Sequence, residues 1–388
     1  MRIAVVWDHG LPPESVGGIQ NHAASVSQVL AARGHRVEVF TPARTVADHP
    51  FNVHAIKPSG SLWYGGYFSA LWTYLVVYRR LLGALRRDLD GGFDAVFAYN
   101  PFMSGRAASK LAREKNIPSF LCYTFSHTAD YYLRGKRFSI AETVGRFGVR
   151  GHRKVVVHAE VMKRALVSKM GVDERTIEVL PLAADVSRFS PDVPSGWVRQ
   201  KFGIPPGVPL ILFVGRVEKL KGLHVLIEAA AQVFRREDAW LLVVGDGSQV
   251  QNMKLLAESM GIGNKTVFAG AASENDLPAF YCAADLVVYP GLDECYSLVV
   301  LEAAACGKAI LGTDHPIMVE EFAEDGKAAA THEKGNADSL ARVIVELLRD
   351  PRRRREMGEY ARQKVVAKHT YDHYVDRLLA LWEASHRE

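Results

Sequence analysis

Short, mostly apolar runs alternate along the chain with longer stretches whose apolar residues recur every three or four positions. Ile3–Val6 is a run of the first kind. A loop containing Gly17-Gly18 follows, and Ile19–Arg33 has helical spacing up to Gly34-His35. Val37–Phe40 is the next run, so the chain opens as a βαβ unit. The same alternation predicts strands over Phe93–Tyr99, Pro118–Tyr123, Val155–Val157 and Ile177–Leu180, and a helix over Phe102–Lys115. Residues 186–209 hold Pro191, Pro194, Pro205, Pro206 and Pro209 and read as a connection between domains with a short helix inside. The pattern then restarts. Strands are expected at Leu210–Val214, Trp240–Val244, Lys265–Phe268, Leu286–Tyr289 and Ala309–Leu311. Helices are expected at Leu223–Phe234, Leu277–Ala283, from near Ser297 to Gly307, and over 336–349 and 351–368. The fold class is therefore α/β, in two units. The last segment, Tyr371–Trp382, has apolar residues at 371, 374, 375, 378, 379 and 382, one helix face whose only target is the body of the protein.

Composition narrows the class. The 388 residues are enough for two domains, and 48% hydrophobic with 23% charged residues is an ordinary globular balance. No apolar run reaches the roughly 18 residues of a membrane span, and the N-terminus lacks the apolar stretch of a signal peptide. Cys122, Cys282, Cys295 and Cys306 form no Cys-x-x-Cys pair, which argues against a zinc site or a disulfide framework and for a reducing cytoplasm. A net charge of +5 suits an anionic ligand or a membrane surface and is too mild for nucleic acid. Arg352–Arg355 reads as a solvated helix face. Residues 61–87 combine Trp63, Tyr64, Tyr67, Phe68, Trp72, Tyr74 and Tyr78 with Arg79, Arg80, Arg86 and Arg87. That stretch reads as a core helix with a basic end, with a membrane-surface patch as the alternative.

The candidate chemistry centres on residues 285–311. Strand, turn at Pro290-Gly291, acidic loop and helix follow one another there, and a helix start presents free backbone N–H groups to an anion. Glu294 and Glu302 bracket that spot. Carboxylates beside an anion site are consistent with a ligand that carries both phosphate and hydroxyls, which points to a nucleotide sugar. Taken alone, a loop acid and a helix glutamate are the simpler reading. Gly215-Arg216 and Lys221-Gly222 add weight, because an arginine and a lysine at the mouth of a helix form a phosphate clamp. The strand ending at Asn100 and the one that delivers Thr124–Thr128 place His127 at the carboxyl end of a sheet, where α/β ligands sit. His158 ends another strand.

Gly17-Gly18, Gly34-His35, Gly215-Arg216 with Lys221-Gly222, Gly245-Asp246-Gly247, and Glu294 with Glu302 eight positions on occur in the order found in the family 4 retaining glycosyltransferases, which the chain resembles over essentially its whole length. Asp185 with Phe189-Ser190-Pro191 resembles the interdomain signature of that family. The resemblance implies the GT-B fold, two Rossmann-like domains facing across a cleft. Residues 1–185 would bind the acceptor, residues 186–370 the donor, and residues 371–388 would cross back to the first domain. It implies that Arg216 and Lys221 neutralise a donor diphosphate, that the amides of Ser297, Leu298 and Val299 cap it, and that Gly18 approaches it. Glu302 would bind ribose, and Glu294 the transferred sugar. Gly17, Gly215, Gly245, Ala271 and Tyr296 complete the donor set. His127 would lie near the sugar and the acceptor, with Asn100, Tyr131 and His158 on the acceptor side.

The implied reaction is metal-independent, retaining transfer from a UDP-sugar, or less readily a GDP-sugar, to a hydroxyl on a glycan, lipid or small natural product, without a cofactor. A sugar-nucleotide epimerase or a phosphorylase on the same fold is the alternative. The location expected is cytoplasmic, with peripheral contact at the inner face of the membrane as the alternative to a free protein, and the oligomeric state is left open. The sequence departs from the family pattern at Gly291, Cys295-Tyr296-Ser297, His315-Pro316, Leu182-Ala183, His158 and Ser126, all outside the expected diphosphate clamp.

Overall fold

The computed structural model describes residues 1–7, 18–41, 48–56, 78–87, 92–124, 148–292 and 297–387. They form two compact units, Met1–Leu182 with Tyr371–Glu388, and Ala183–Thr370.

The first unit is built on a seven-stranded parallel sheet. Its strands are β1 (Arg2–Val6), β2 (Arg36–Thr41), β3 (Asn52–Ala55), β4 (Ala95–Tyr99), β5 (Ser119–Cys122), β6 (Lys154–Val157) and β7 (Ile177–Val179), in the spatial order β3-β2-β1-β4-β5-β6-β7. β1 pairs with β2 on one side (Ile3 opposite Val37) and with β4 on the other (Ile3 opposite Ala95). The central strands are buried on both faces, which is why they read as largely apolar runs. Order reverses between β1 and β4, and that reversal opens a crevice at the carboxyl ends of these two strands.

The last helix, Tyr371–Arg387, belongs to this unit. Its apolar face inserts Trp382, fully buried, edge-on against Phe97 and tilted against Phe120, with ring centroids 5.8 and 5.7 Å away. Arg33 pins the opposite end through Asp372 at 2.8 Å and Asp376 at 2.5 Å. Between them His22 is wholly enclosed, 4.7 Å from the Tyr374 ring and 5.5 Å from His158.

Burial keeps His22, His152 and His158 uncharged. It lowers His22 well below the usual imidazole range, with the neighbouring His158 adding to the effect, and pushes His152 and His158 down to about 4. An unfolded chain takes up these protons near pH 6.5 and the folded one does not, so the unfolded state binds more protons. The stabilisation is complete above pH 6.5 and is lost as pH falls toward 4, at about 1.4 kcal/mol per pH unit for each histidine. The urea midpoint of unfolding is expected to fall steeply from pH 6.5 to 4.5, and His158→Gln to make that fall shallower. A midpoint constant across this window would exclude the mechanism.

The second unit carries a six-stranded parallel sheet of β8 (Leu210–Val214), β9 (Trp240–Val244), β10 (Thr266–Gly270), β11 (Leu286–Tyr289), β12 (Ile310–Thr313) and β13 (Ala330–His332), ordered β10-β9-β8-β11-β12-β13. Here the reversal lies between β8 and β11, paired through Leu286 with Ile211 and Val287 with Leu212.

Strands β3 and β13 and the helices Glu160–Met170 and Val250–Ser259 go beyond the elements read from the sequence. β3 is a half-exposed edge strand and β13 has three residues, so neither carries a distinctive pattern. The proline-rich stretch expected as a connection packs on the second unit. Phe189 stands 5.8 Å from the Tyr281 ring, Trp197 stands 5.6 Å from Phe280, and Arg199 bonds Asp285 at 2.8 Å. Residues 78–87 are helical, whereas the aromatic stretch 61–77 lies outside the described residues. Arg352, Arg353 and Arg355 are exposed, as a solvated helix face requires. Among the described residues no helix is long and apolar enough to cross a membrane.

Candidate active site

At the reversal of the second sheet, three loops leave the carboxyl ends of β8, β9 and β11 and are tied together through their backbones. The loop after β8 runs through Gly215 and Arg216, makes a tight turn at Lys219–Lys221, and enters the helix Leu223–Val233 at Gly222. Gly215 N–H donates to Val244 O at 3.0 Å and Val217 N–H to Asp246 O at 2.8 Å, which joins this loop to the one after β9. Glu218 strengthens the junction by accepting from the Ser248 N–H at 2.9 Å and the Ser248 hydroxyl at 2.7 Å. Leu292 N–H donates to Leu220 O at 2.8 Å and joins the loop to the one after β11.

The approach is close enough to demand glycine. A Cβ on Gly222 would overlap the carbonyl oxygen of Pro290, and one on Gly245, whose φ is +142°, would overlap that of Gly215.

This framework fixes the two cations. Arg216 is exposed, while Lys221 lies deeper in the same turn. Desolvation, reinforced by the charge of Arg216, pushes Lys221 down to about 8. Two positive groups at a helix start, at the point where a sheet reverses, are an arrangement that can receive an anion.

After β11 the chain reaches Ser297, the N-cap of the helix Leu298–Ala305. The Ser297 hydroxyl accepts from Val299 N–H at 3.3 Å. Glu302 sits within this helix and accepts a hydrogen bond from the Tyr281 hydroxyl at 2.7 Å. Burial raises Glu302 to about 7, against the Tyr281 hydrogen bond and the charge of Arg188, while Glu274 pushes it up further. Near neutral pH this carboxyl is therefore able to accept hydrogen bonds or to donate one, a match for paired hydroxyls.

Tyr281, Arg188, Glu218 and Glu274 were not singled out as site residues from the sequence. Arg188 belongs to the turn that Asp185 closes by accepting from the N–H groups of Ser187 and Arg188, both at 3.1 Å, and that turn was the available signal. Tyr281 had none.

Among the other candidates, Ala271 is exposed just past the end of β10. In the first unit Gly18 opens the helix Gly18–Ala32, and Asn100 follows β4 with φ +71°. The Asn100 side-chain oxygen accepts from the Thr124 hydroxyl. His158 is buried, with Nδ1 against Leu180 O at 3.0 Å and Nε2 against Cys122 Sγ at 3.5 Å, so both ring nitrogens face protein groups. Gly17, His127, Tyr131, Glu294 and Tyr296 lie outside the described residues.

Two family models match the chain, glycosyl transferases group 1 over residues 198–364 and glycosyltransferase family 4 over residues 16–188. The D-inositol 3-phosphate glycosyltransferase of Corynebacterium jeikeium is 28% identical, covering 100% of this chain and 98% of its own. The protein of that name from Nocardia farcinica is 29% identical over 98% of this chain and 90% of its own. Among solved structures, sucrose-phosphate synthase from Thermosynechococcus elongatus superposes with a TM-score of 0.86 at 21% identity, covering 100% of this chain and 99% of that one. Anabaena HepE in complex with UDP-glucose does so with a TM-score of 0.81 at 17% identity, covering 98% and 99%.

Proposed function

Since this chain belongs to the family 4 glycosyltransferases and is a transferase acting on sugars, we propose that it moves a sugar from a nucleotide-sugar donor to a hydroxyl with retention at the anomeric carbon, and without a metal ion. The observation that carries this reading is the desolvated Lys221 beside Arg216 at the reversal of the second sheet. A diphosphate leaving group needs positive charge already in place as its own charge develops, and these two side chains supply it. The amides of Ser297–Val299 add the positive end of a helix dipole. Glu302, held by Tyr281, takes the ribose hydroxyls, and Gly18 is assigned to the diphosphate. Gly17, Gly215, Gly245, Ala271 and Tyr296 are the remaining positions assigned to the donor.

In the reaction, the bond from the anomeric carbon to the diphosphate oxygen breaks and a bond to the acceptor oxygen forms on the same face. The departing phosphate oxygen takes the acceptor proton. Glu294 is assigned the orientation of the transferred sugar, and His127 a role toward the sugar and acceptor. Glu294→Gln is expected to lower turnover at least about a hundredfold while nucleotide affinity changes little. Equal losses in both would remove that role.

UDP-sugars are the favoured donors, in line with the solved relative that holds UDP-glucose. The relatives are named for D-inositol 3-phosphate, which makes a phosphorylated polyol a natural acceptor to include beside glycans and lipids. Nothing in the comparisons favours an epimerase or a phosphorylase. The test is a thermal-shift and donor-hydrolysis screen over UDP-, GDP-, ADP- and TDP-sugars, with and without EDTA. A UDP-sugar should raise the melting temperature at ligand excess and be hydrolysed equally well in EDTA. No shift with any nucleotide sugar would sink the reading.

A further inference from the structure

Arg188 stands at the head of a chain of contacts that ends on Glu302. Its backbone is fixed by the turn in which the Ser187 and Arg188 N–H groups donate to Asp185 Oδ1, both at 3.1 Å. Its guanidinium lies over the Phe189 ring, 4.9 Å from the centroid. Phe189 meets Tyr281 edge-on with the centroids 5.8 Å apart, and both rings are buried. Tyr281 in turn donates its hydroxyl proton to Glu302 Oε2 at 2.7 Å.

The protein compensates this cation only loosely. Glu274 Oε2 is 3.6 Å from Arg188 Nη1, longer than a hydrogen bond, and Glu274 is exposed to solvent. Arg188 Nε is buried without a hydrogen-bond partner. A long, half-exposed ion pair adds little to stability, and an unmet N–H subtracts from it. The fold therefore gains little by holding a guanidinium here, and its position against the Tyr281–Glu302 pair calls for another explanation.

We infer that Arg188 is a positioning residue for the donor nucleoside. Held by Phe189 against Tyr281, it keeps Glu302 an anion that accepts from both hydroxyls of a ribose, and Glu274 works against it. The consequence for the nucleoside rests on the reading of Glu302 as the ribose ligand; the control of the Glu302 carboxyl does not.

The groups packed around Glu302 fit this division. Burial and the adjacent Glu302 push Tyr281 well up, so it remains a proton donor. Burial pushes Glu302 up, the Tyr281 hydrogen bond and the charge of Arg188 pull it down, Glu274 raises it, and it settles at about 7. On the helix that carries Tyr281, Cys282 donates its thiol proton to Ser190 O at 3.1 Å. Past the end of the Glu302 helix, Cys306 is pushed up and stays neutral, and the Lys308 ammonium donates to Cys282 O at 2.7 Å. From the helix Pro351–Lys368, Arg362 donates to the carbonyl oxygens of Ala305 and Phe189. The strands β11 and β12 contribute no charged group. Arg188 and Glu274 are thus the opposed charges that decide the state of this carboxyl.

That state matters to a diol. An ionised carboxyl offers acceptor sites on both oxygens, and hydrogen bonds to a charged acceptor are roughly twice as strong as neutral ones. A neutral carboxyl spends one oxygen on its own proton. Removing the Arg188 charge favours the neutral form near pH 7, and removing the Glu274 charge favours the anion. Loss of packing alone would not give two neighbouring variants effects of opposite sign.

The test titrates the Glu302 carboxyl of the ligand-free full chain by carbon-13 NMR, assigned by its loss in Glu302→Gln, and measures uridine and UDP affinity over the same pH range. Arg188→Met is expected to raise the midpoint of the carboxyl and to weaken uridine and UDP about tenfold near neutral pH, the scale of one hydrogen bond to a charged group, with recovery at alkaline pH. Glu274→Gln is expected to lower the midpoint and to extend tight binding to lower pH. Arg188→Lys, which keeps the charge, should stay close to the wild type. Glu274→Gln alters an exposed side chain, so it decides the matter if Arg188→Met does not fold. Midpoints that stay in place, or that move in the same direction in both variants, overturn the inference. Midpoints that move as expected while uridine affinity ignores them overturn the ribose reading of Glu302 instead, and leave the control by Arg188 standing.

Discussion

Lys221→Ala is expected to lower kcat/KM for sugar transfer by about 10²–10³-fold, the scale seen when one preorganised group that meets developing charge is removed. Arg216→Ala should cost less, because Arg216 is exposed and its charge is screened by solvent. Lys221 sits in a turn whose backbone is fixed on both sides, by Leu220 O to Leu292 and by Gly215 and Val217 to the loop after β9. The backbone that carries its charge is therefore in place before any donor arrives.

The burial of Lys221 also makes it sensitive to pH. With its ammonium lowered to about 8, it is charged below that value and neutral above it. In the wild type kcat/KM should fall as pH rises through about 8, and the limb in kcat should lie higher because a bound diphosphate favours the ammonium. Lys221→Ala should show no such limb. A variant within a few-fold of wild type, or one that keeps the alkaline limb, would assign the diphosphate to other groups.

Gly245→Ala is expected to destabilise the second unit by more than about 4 kcal/mol, or to abolish its folding. Two effects add at this position. The backbone has φ +142°, which a side chain resists, and the new Cβ would overlap the carbonyl oxygen of Gly215, which cannot move aside because Gly215 is itself bonded to β9. Gly207→Ala is the control. Its φ of +78° carries a conformational cost, yet a Cβ there meets no atom within 4 Å. It should cost only about 1–2 kcal/mol. Urea midpoints and UDP binding measured on both variants decide the matter. If Gly245→Ala were no less stable than Gly207→Ala, the backbone contact between the two loops would not be holding the site.

The alternation of the chain made most of its strands legible. Leu210–Val214, Trp240–Val244 and Leu286–Tyr289 are apolar runs bounded by glycine, proline or acidic turns, and only a strand buried on both faces tolerates that composition. The face of the last helix was equally legible, since Tyr374, Val375, Leu378 and Trp382 are all buried. The Tyr281–Glu302 pair was not. Its members stand 21 positions apart on helices either side of β11, and nothing local in either helix signals the other. Arg188 was hidden for a similar reason, within a proline-rich stretch that reads as a connection and in fact packs on the second unit.

By itself the sequence determined the α/β alternation, the glycines that let loops approach, the Arg216 and Lys221 pairing in one turn, and the two glutamates around a helix start. These are local properties, written in spacing and residue type. Only the tertiary structure decided that β8 and β11 are neighbours although 71 residues separate the end of one from the start of the other, and hence that their loops meet. It alone decided that Lys221 titrates near 8 and Glu302 near 7, because desolvation depends on what the rest of the chain places around a group.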